Sequence, residues 1–195
     1  MRLIKIFIFF LSLFPTFYLV YGTFTDNLGA NPIEKILHET GFWALIFLMI
    51  TLSVTPLRKI KGLNKIINLR RMLGLFAFFY VVLHFLVYLG LDRLLDWDEI
   101  VKDITKRPYI TVGFSAFLML IPLAVTSTKG WMKKLGKRWQ KLHRLIYVAG
   151  VLGVIHFWWL VKKDITDPLI FAIILTGLLG IRIYFALVKK KHLKV

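Results

Sequence analysis

The sequence predicts an all-α membrane protein, a bundle of six transmembrane helices with the N and C termini in the cytoplasm. The first observation behind this prediction is composition, because 58% of the 195 residues are hydrophobic and the mean hydropathy is +0.71. The second is that apolar runs of roughly 17–25 residues recur, each long enough to cross a bilayer. The third is that nearly all charged residues lie between those runs.

Six apolar runs define the predicted helices. They cover about residues 3–21, 38–54, 72–90, 109–126 and 143–161, with a last run from Pro168 to just before the lysines at 189–191. The first run follows Arg2 and Lys5, as in a secretory signal, but no small-x-small cleavage site comes after it, so we interpret it as a retained helix. No linker and no internal repeat of about 20–50 residues divides the chain, which predicts one domain over residues 1–195.

The distribution of charge predicts the orientation of the bundle. Twenty of the 27 basic residues fall on one side, near the N terminus, in the segments 56–71 and 129–144, and from Arg182 to the lysine-rich tail. All ten acidic residues fall in the opposite loops or at their edges. Because cytoplasmic loops are enriched in lysine and arginine, the basic side is predicted to be cytoplasmic.

Composition also excludes several classes of protein. A nucleic-acid-binding domain with a net charge of +17 would carry its lysines around a modest apolar core, so the membrane-length runs argue against nucleic acid. The basic loops are expected to attract anionic membrane lipid, and they could also bind a flavin phosphate or an acidic donor protein. The sequence has no cysteine, which rules out disulfides, iron–sulfur clusters and covalently attached haem. No P-loop, GxGxxG, HExxH or GxSxG motif occurs.

Two histidines lie deep within predicted helices, where imidazole is costly unless it faces a partner, a metal or a water-filled path. His84 is about 12 residues into the third helix and His156 about 13 into the fifth, which corresponds to ~18 and ~20 Å. Both helices run outward from the cytoplasm, so the two side chains are expected at matched depth in the outer half of the membrane. If they face each other, they can hold one haem iron from both sides.

Helical periodicity predicts what surrounds these histidines. Ala77, Tyr80 and Tyr88 are expected on the face of His84, and Ala149 and Gly153 on the face of His156. The small residues would leave room for a flat macrocycle. We therefore predict His84 and His156 as axial haem ligands, the alternative being that each histidine only hydrogen-bonds across the bundle.

The cytoplasmic ends of the same helices carry further candidates. His143 could contact solvent or lipid phosphate, or could ligate a metal at a second, inner redox site. At that level the third helix has no histidine but has Arg70, which is on roughly the same face as His84 and could bind a propionate or a phosphate. His38 is expected at the outer membrane interface or, alternatively, close to the outer haem, and His192 is expected in solvent.

Five stretches of the chain resemble one known family, the MsrQ (YedZ) proteins. They are NPIEKILHETGFWAL (31–45), TPLR (55–58), RRMLGLFAFFYVVLHFLVYLGLD (70–92), KRPYITVGFSAFLMLIPLAVTST (106–128) and LGKRWQKLHRLIYVAGVLGVIHFWWLVKKD (135–164). MsrQ proteins are the haem-binding membrane subunits of bacterial protein-methionine-sulfoxide reductases, with a ferric-reductase-like transmembrane domain. Arg70 stands where the wider superfamily has a second histidine on the same helix.

The resemblance implies a multi-pass b-type cytochrome of the bacterial inner membrane. It implies haem b as cofactor, with FMN also found in the family, and it maps the family's histidines onto His84, His143 and His156. Electrons would come from the quinol pool or from a cytoplasmic flavin reductase and would pass to MsrP, a periplasmic molybdopterin subunit that reduces methionine sulfoxide in oxidised envelope proteins. The chain would then be the electron-transfer subunit of an oxidoreductase, without catalytic residues of its own.

Two other functions remain open from the residues alone. The first is a ferric or quinone reductase that works without a periplasmic partner. The second is a transporter or channel without redox chemistry, in which the intramembrane histidines relay protons.

Overall fold

Helices make up most of the molecule. A computed structural model describes residues 2–161 and 163–192, the last four of them by backbone alone. In this part of the chain the helices are α1 (Arg2–Phe24), α2 (Pro32–Leu57), α3 (Arg70–Val87), α4 (Trp97–Lys106), α5 (Pro108–Val125), α6 (Lys129–Leu135), α7 (Lys137–Leu142), α8 (Leu145–Leu160) and α9 (Thr166–His192). A 3₁₀ segment, Asn64–Leu69, precedes α3, and a π-helical turn, Tyr88–Asp92, follows it.

The predicted fold class is confirmed. Six helical segments of the described chain are long and apolar enough to cross a membrane, and they contain α1, α2, α3, α5, α8 and α9. Because successive spans alternate in direction, the 58–69 connection and the α6–α7 segment lie at the same end of the bundle. The basic residues of both connections are therefore gathered at one end, and the cytoplasmic location of that end stays a prediction from charge.

Two helix boundaries differ from the predicted ones. Helix α2 starts six residues earlier than the apolar run because Asn31 caps it. The Asn31 side chain accepts a hydrogen bond from the Glu34 backbone N–H and donates one to the Glu34 carboxylate.

Helix α9 continues to His192, so the prediction that it stops before Lys189 was wrong. Lysine is a good helix former, and a helix need not end where the hydrocarbon does. The side chains of His192 and the tail lysines lie outside the described residues.

The π-helical turn and α4 form an unpredicted cap at the end of the bundle opposite the basic connections, which is called the outer end because charge predicts it to face outward. Asp96 caps the N terminus of α4 by accepting from two backbone N–H groups. On the inner face of α4, Ile100 and Asp103 are buried against the ends of the spans. Helix α4 has only ten residues, five of them charged, and is therefore too short and too polar to be recognised as a membrane-length apolar run.

Helix α2 forms the centre of the bundle. It packs most extensively on α3, and it also contacts α8 and α9, while α5 packs mainly on α8. Leu48 and Leu52 of α2 are almost fully buried. In lipid, such contacts stabilise the bundle through close packing, because the lipid tails are as apolar as the side chains. The result is two well-packed hairpins, α2–α3 and α5–α8.

Helix α1 lies at the periphery and exposes most of its phenylalanines. Tyr80 of α3 is fully buried against it and donates a hydrogen bond from its hydroxyl to the backbone carbonyl of Ser12 at 2.7 Å. The hydroxyl of Thr16 donates to the Tyr80 oxygen at 3.1 Å. Tyr80 lies one turn before His84, as expected, but its hydroxyl joins α1 to the core.

Candidate functional site

The two hairpins enclose a cavity of about 530 Å³. This volume lies within the range of about 300–1,000 Å³ typical of pockets for small molecules and cofactors. Its walls are largely apolar side chains of α2, α3, α5 and α8, and Glu34, Asp92 and Arg93 lie at its outer end. The cavity therefore has the shape and polarity of a cofactor site, with charged groups where it meets the outer end of the bundle.

Two imidazole rings from different hairpins meet at this cavity. His84 comes from α3 and His156 from α8, and both line the cavity. Their ring centres are 6.2 Å apart, with an angle of 78° between the ring planes. The helices thus bring together the two histidines that the sequence placed at matched depth.

Each of the two rings is held by a backbone carbonyl of the neighbouring helix. The Nδ1 of His84 is 2.9 Å from the carbonyl oxygen of Leu37 on α2, and the Nδ1 of His156 is 2.7 Å from that of Tyr109 on α5. Because a carbonyl can only accept, Nδ1 must carry the proton in both rings. The Nε2 atoms are then unprotonated, and neither makes a hydrogen bond within the described chain. Metal-binding histidines are typically oriented in this way.

The separation of the rings fits a single metal centre between them. Bonds of about 2.0–2.1 Å from two imidazole nitrogens to one ion, as known for zinc, plus about 1.1 Å from each nitrogen to its ring centre, give about 6.2–6.4 Å. The observed separation is 6.2 Å. The described residues contain no cluster of three or more histidine, aspartate or glutamate side chains able to hold a bare ion. The Nε2 atoms of two histidines that line an apolar cavity would therefore suit a haem, whose macrocycle would bring the remaining ligands.

Glycines stand directly behind both histidines. A Cβ atom added to Gly113 would come within 2.6 Å of Nδ1 and 2.8 Å of Cε1 of His156. A Cβ atom added to Gly41 would lie 3.1 Å from the same two atoms of His84. Each ring thus packs against the glycine backbone of the helix that carries its hydrogen-bond acceptor, α2 for His84 and α5 for His156. The sequence prediction included the small residues of α3 and α8 but missed these two glycines.

The walls of the cavity repeat along the chain at a spacing of 72 residues. The following lining residues are identical at that spacing: Gly41 and Gly113, Phe42 and Phe114, Ala44 and Ala116, Leu48 and Leu120, Ala77 and Ala149, His84 and His156, Phe85 and Phe157. The two histidine–carbonyl hydrogen bonds also span equal lengths of chain, 47 residues each. The α2–α3 and α5–α8 hairpins are therefore similar units that face each other across the site. A search for repeats longer than 50 residues would have found this signal.

His143 does not line the cavity. Its ring stacks on Trp139 with centres 3.9 Å apart, and its Nε2 is 3.0 Å from the hydroxyl of Thr126. That hydroxyl lies 2.6 Å from the carbonyl of Pro122, to which it can only donate. Nε2 of His143 is therefore the protonated nitrogen, and Nδ1 is the one with a free lone pair. This is the opposite arrangement from the two cavity histidines.

Arg70 also lies away from the cavity, at the first residue of α3. Its guanidinium is 3.4 Å from the hydroxyl of Thr55, near the C-terminal end of α2. Arg182 of α9 reaches the same end of α2, where it donates to the carbonyl of Leu52, and it also donates to the hydroxyl of Tyr147 at 3.0 Å. The partial negative charge at a helix C terminus favours such cations. Sequence reasoning singled out Arg70 and missed Arg182.

The outer end of the cavity is bordered by an ion-pair network. The carboxylate of Asp103, only 7% exposed, lies 2.8 Å from Nε of Arg93 and 2.9 Å from Nε of Arg107. Burial lowers the pKa of Arg93, but the nearby carboxylates of Asp92 and Asp103 raise it, and the pKa stays above its usual value.

His38 is exposed at the same end of the bundle but lines the cavity, with its ring 5.8 Å from that of Phe157. Of the two positions expected for His38, the structure therefore shows the one close to the site.

Comparison with known proteins gives consistent similarities. Residues 40–154 match the family described as ferric reductase like transmembrane component. The chain is 53% identical over 193 residues to the protein-methionine-sulfoxide reductase heme-binding subunit MsrQ of Herminiimonas arsenicoxydans, covering 97% of this chain and 88% of that protein. It is 50% identical to the MsrQ of Ralstonia nicotianae over 95% of this chain and 87% of that protein. With the MsrQ of Xanthomonas euvesicatoria pv. vesicatoria it is 54% identical, over 86% and 77% of the two chains. No solved structure matches.

Proposed function

The chain belongs to the ferric-reductase-like transmembrane family and, within it, to the MsrQ subunits, and on this basis we propose that it is the haem-binding membrane subunit of a protein-methionine-sulfoxide reductase. The observation that carries the proposal is the pair His84 and His156. Their ring centres are 6.2 Å apart, and a backbone carbonyl fixes Nδ1 of each ring as the donor. Both Nε2 atoms are thereby available as axial ligands.

This ligand set favours electron relay over substrate chemistry. Haem b, when bound, supplies a one-electron carrier. His84 and His156 would hold it through their Nε2 atoms, and ligation by two imidazoles would favour electron transfer over binding of a substrate at the iron. The chain's own residues exclude water with apolar walls and hold the imidazoles in one tautomer. Methionine sulfoxide reduction then belongs to a partner subunit.

The proposed path runs from the basic to the acidic end of the bundle. Electrons enter at the cytoplasmic face of the bacterial inner membrane, from the quinol pool or a cytoplasmic flavin reductase, and leave to the periplasmic molybdopterin subunit MsrP. His143 and Arg70 mark the proposed inner redox site, where Nδ1 of His143 has a free lone pair and Arg70 can bind a phosphate or propionate. FMN is a candidate occupant of that inner site.

A reduced-minus-oxidised absorption spectrum of the purified protein tests the proposal. We expect b-type haem bands in the wild type, and their loss in His84→Ala and in His156→Ala. His143→Ala is the matched control, because it removes a histidine that does not line the cavity, and its b-type bands should remain. Unchanged haem content in either His84→Ala or His156→Ala would overturn the assignment of the axial pair.

The same preparation separates the rival functions. A protein without any haem bands would point to a transporter with proton-relay histidines. A haem protein that reduces ferric chelates or quinone at full rate without MsrP would point to a reductase that works alone. Reoxidation of the reduced protein on addition of MsrP, and not on addition of ferric chelate, would support the proposed role.

A further inference from the structure

We propose that Gly41 and Gly113 are positioning residues that set where the rings of His84 and His156 stand, and thereby the affinity for haem and its reduction potential. This inference rests on the proposed function, since it concerns the same site. It adds two residues that touch no cofactor themselves and act through the histidines.

The geometry at Gly113 shows how the positioning works. The acceptor of the His156 Nδ1 proton is the carbonyl of Tyr109, four residues before Gly113 on the same helix. In an α-helix that carbonyl already accepts the N–H of the residue four positions later, so the imidazole uses its second lone pair. To reach it, the ring must lie against the backbone of Gly113, where a Cβ would stand 2.6–2.9 Å from three ring atoms. A methyl group there excludes the observed ring position.

The α2–α3 hairpin repeats the arrangement. The carbonyl of Leu37, which accepts the Nδ1 proton of His84, again lies four residues before a glycine, Gly41. A Cβ at Gly41 would meet two ring atoms of His84 at 3.1 Å, which is tight but less severe than at Gly113. Both hairpins thus combine a histidine, a carbonyl and a glycine at the same spacings. We therefore expect a graded effect, with Gly113 the more sensitive position.

The competing explanation is that these glycines only allow close helix packing. Gly150, on the helix of His156, has no histidine ring against it, and an added Cβ there would make only ordinary contacts of 3.6–3.8 Å with leucine side chains. Gly150→Ala is therefore the matched control. If packing alone mattered, Gly113→Ala and Gly41→Ala would alter stability and leave the haem signals untouched.

The first experiment compares Gly113→Ala, Gly41→Ala and Gly150→Ala by haem content, low-spin ferric signature and reduction midpoint. We expect Gly113→Ala to lower haem affinity by about 10- to 100-fold, the range seen when the hydrogen-bonding partner of a metal-bound histidine is lost. Gly41→Ala should retain haem but shift its midpoint and low-spin signature, and Gly150→Ala should match the wild type. A wild-type spectrum and midpoint for Gly113→Ala would overturn the proposal.

The second experiment needs no haem and therefore separates this inference from the proposed function. Thermal unfolding of the haem-free protein is measured for Gly113→Ala, His156→Ala and the double variant. The alanine methyl should lower the melting temperature with His156 present and lose that effect once the ring is gone. Equal effects in both backgrounds would overturn the proposal. If Gly113→Ala does not accumulate, the same cycle with Gly41 and His84 decides by the same criterion.

Discussion

Arg182 donates a hydrogen bond to the backbone carbonyl of Leu52, 130 residues earlier in the chain. This carbonyl would normally accept the N–H of the residue four positions later, which is Pro56 and has no N–H. The guanidinium of α9 therefore replaces the donor that proline removes from α2. The contact joins the last helix of the bundle to its central one.

Replacing Arg182 with methionine should therefore destabilise the protein. The buried carbonyl of Leu52 would be left without a donor, which costs about 1–3 kcal/mol. Thermal unfolding in detergent measures the loss. The double variant with Pro56→Ala supplies a backbone N–H again, and we expect it to recover part of the stability. No recovery would show that Arg182 acts through other contacts, such as the Tyr147 hydroxyl.

Tyr80→Phe should loosen α1 from the bundle while preserving packing volume. The variant loses the hydrogen bond from the Tyr80 hydroxyl to the Ser12 carbonyl. Interhelical hydrogen bonds of this kind contribute about 0.6–1.7 kcal/mol in membrane proteins. Tyr18→Phe, at an exposed tyrosine of α1, is the control and should leave the unfolding temperature unchanged. Equal unfolding temperatures of the two variants would contradict the assigned role of Tyr80.

Asp103→Asn should destabilise the outer cap. The buried carboxylate neutralises Arg93 and Arg107, whose side chains are 20% and 46% exposed, so solvent reduces the penalty relative to a fully buried pair. We expect a loss of about 1–3 kcal/mol in unfolding free energy. Asp26→Asn is the control, because that exposed residue has a positive φ that asparagine tolerates. The prediction fails if both variants unfold at the same temperature.

His143→Ala should leave the outer haem in place and slow its reduction from the cytoplasmic side. The ring lies on Trp139 near the basic end and does not line the cavity, so the His84–His156 pair is not disturbed. Stopped-flow reduction by a flavin reductase or a quinol measures electron entry. Thr126→Val, which removes only the partner of Nε2, should have a smaller effect. If His143→Ala is reduced at the wild-type rate, His143 takes no part in electron entry.

Several features of the site could be predicted from particular residues. The apolar runs around His84 and His156 fixed their helices, and counting residues from the basic ends fixed their depth, because an α-helix rises by a constant amount per residue. Periodicity places Tyr80 on the same side of α3 as His84, but it does not tell which neighbouring helix packs against each residue. The structure shows that Tyr80 bonds to α1 and does not line the cavity.

The sequence by itself determined the class of protein, the number of spans and the two deep histidines, since composition and periodicity are local properties of the chain. The tertiary structure decided which groups meet: the carbonyls of Leu37 and Tyr109 with the histidines, and Leu52 with Arg182. These contacts join residues 47 to 130 positions apart. They depend on how helices rotate and approach one another, which packing at small residues such as Gly113 controls and no local pattern records.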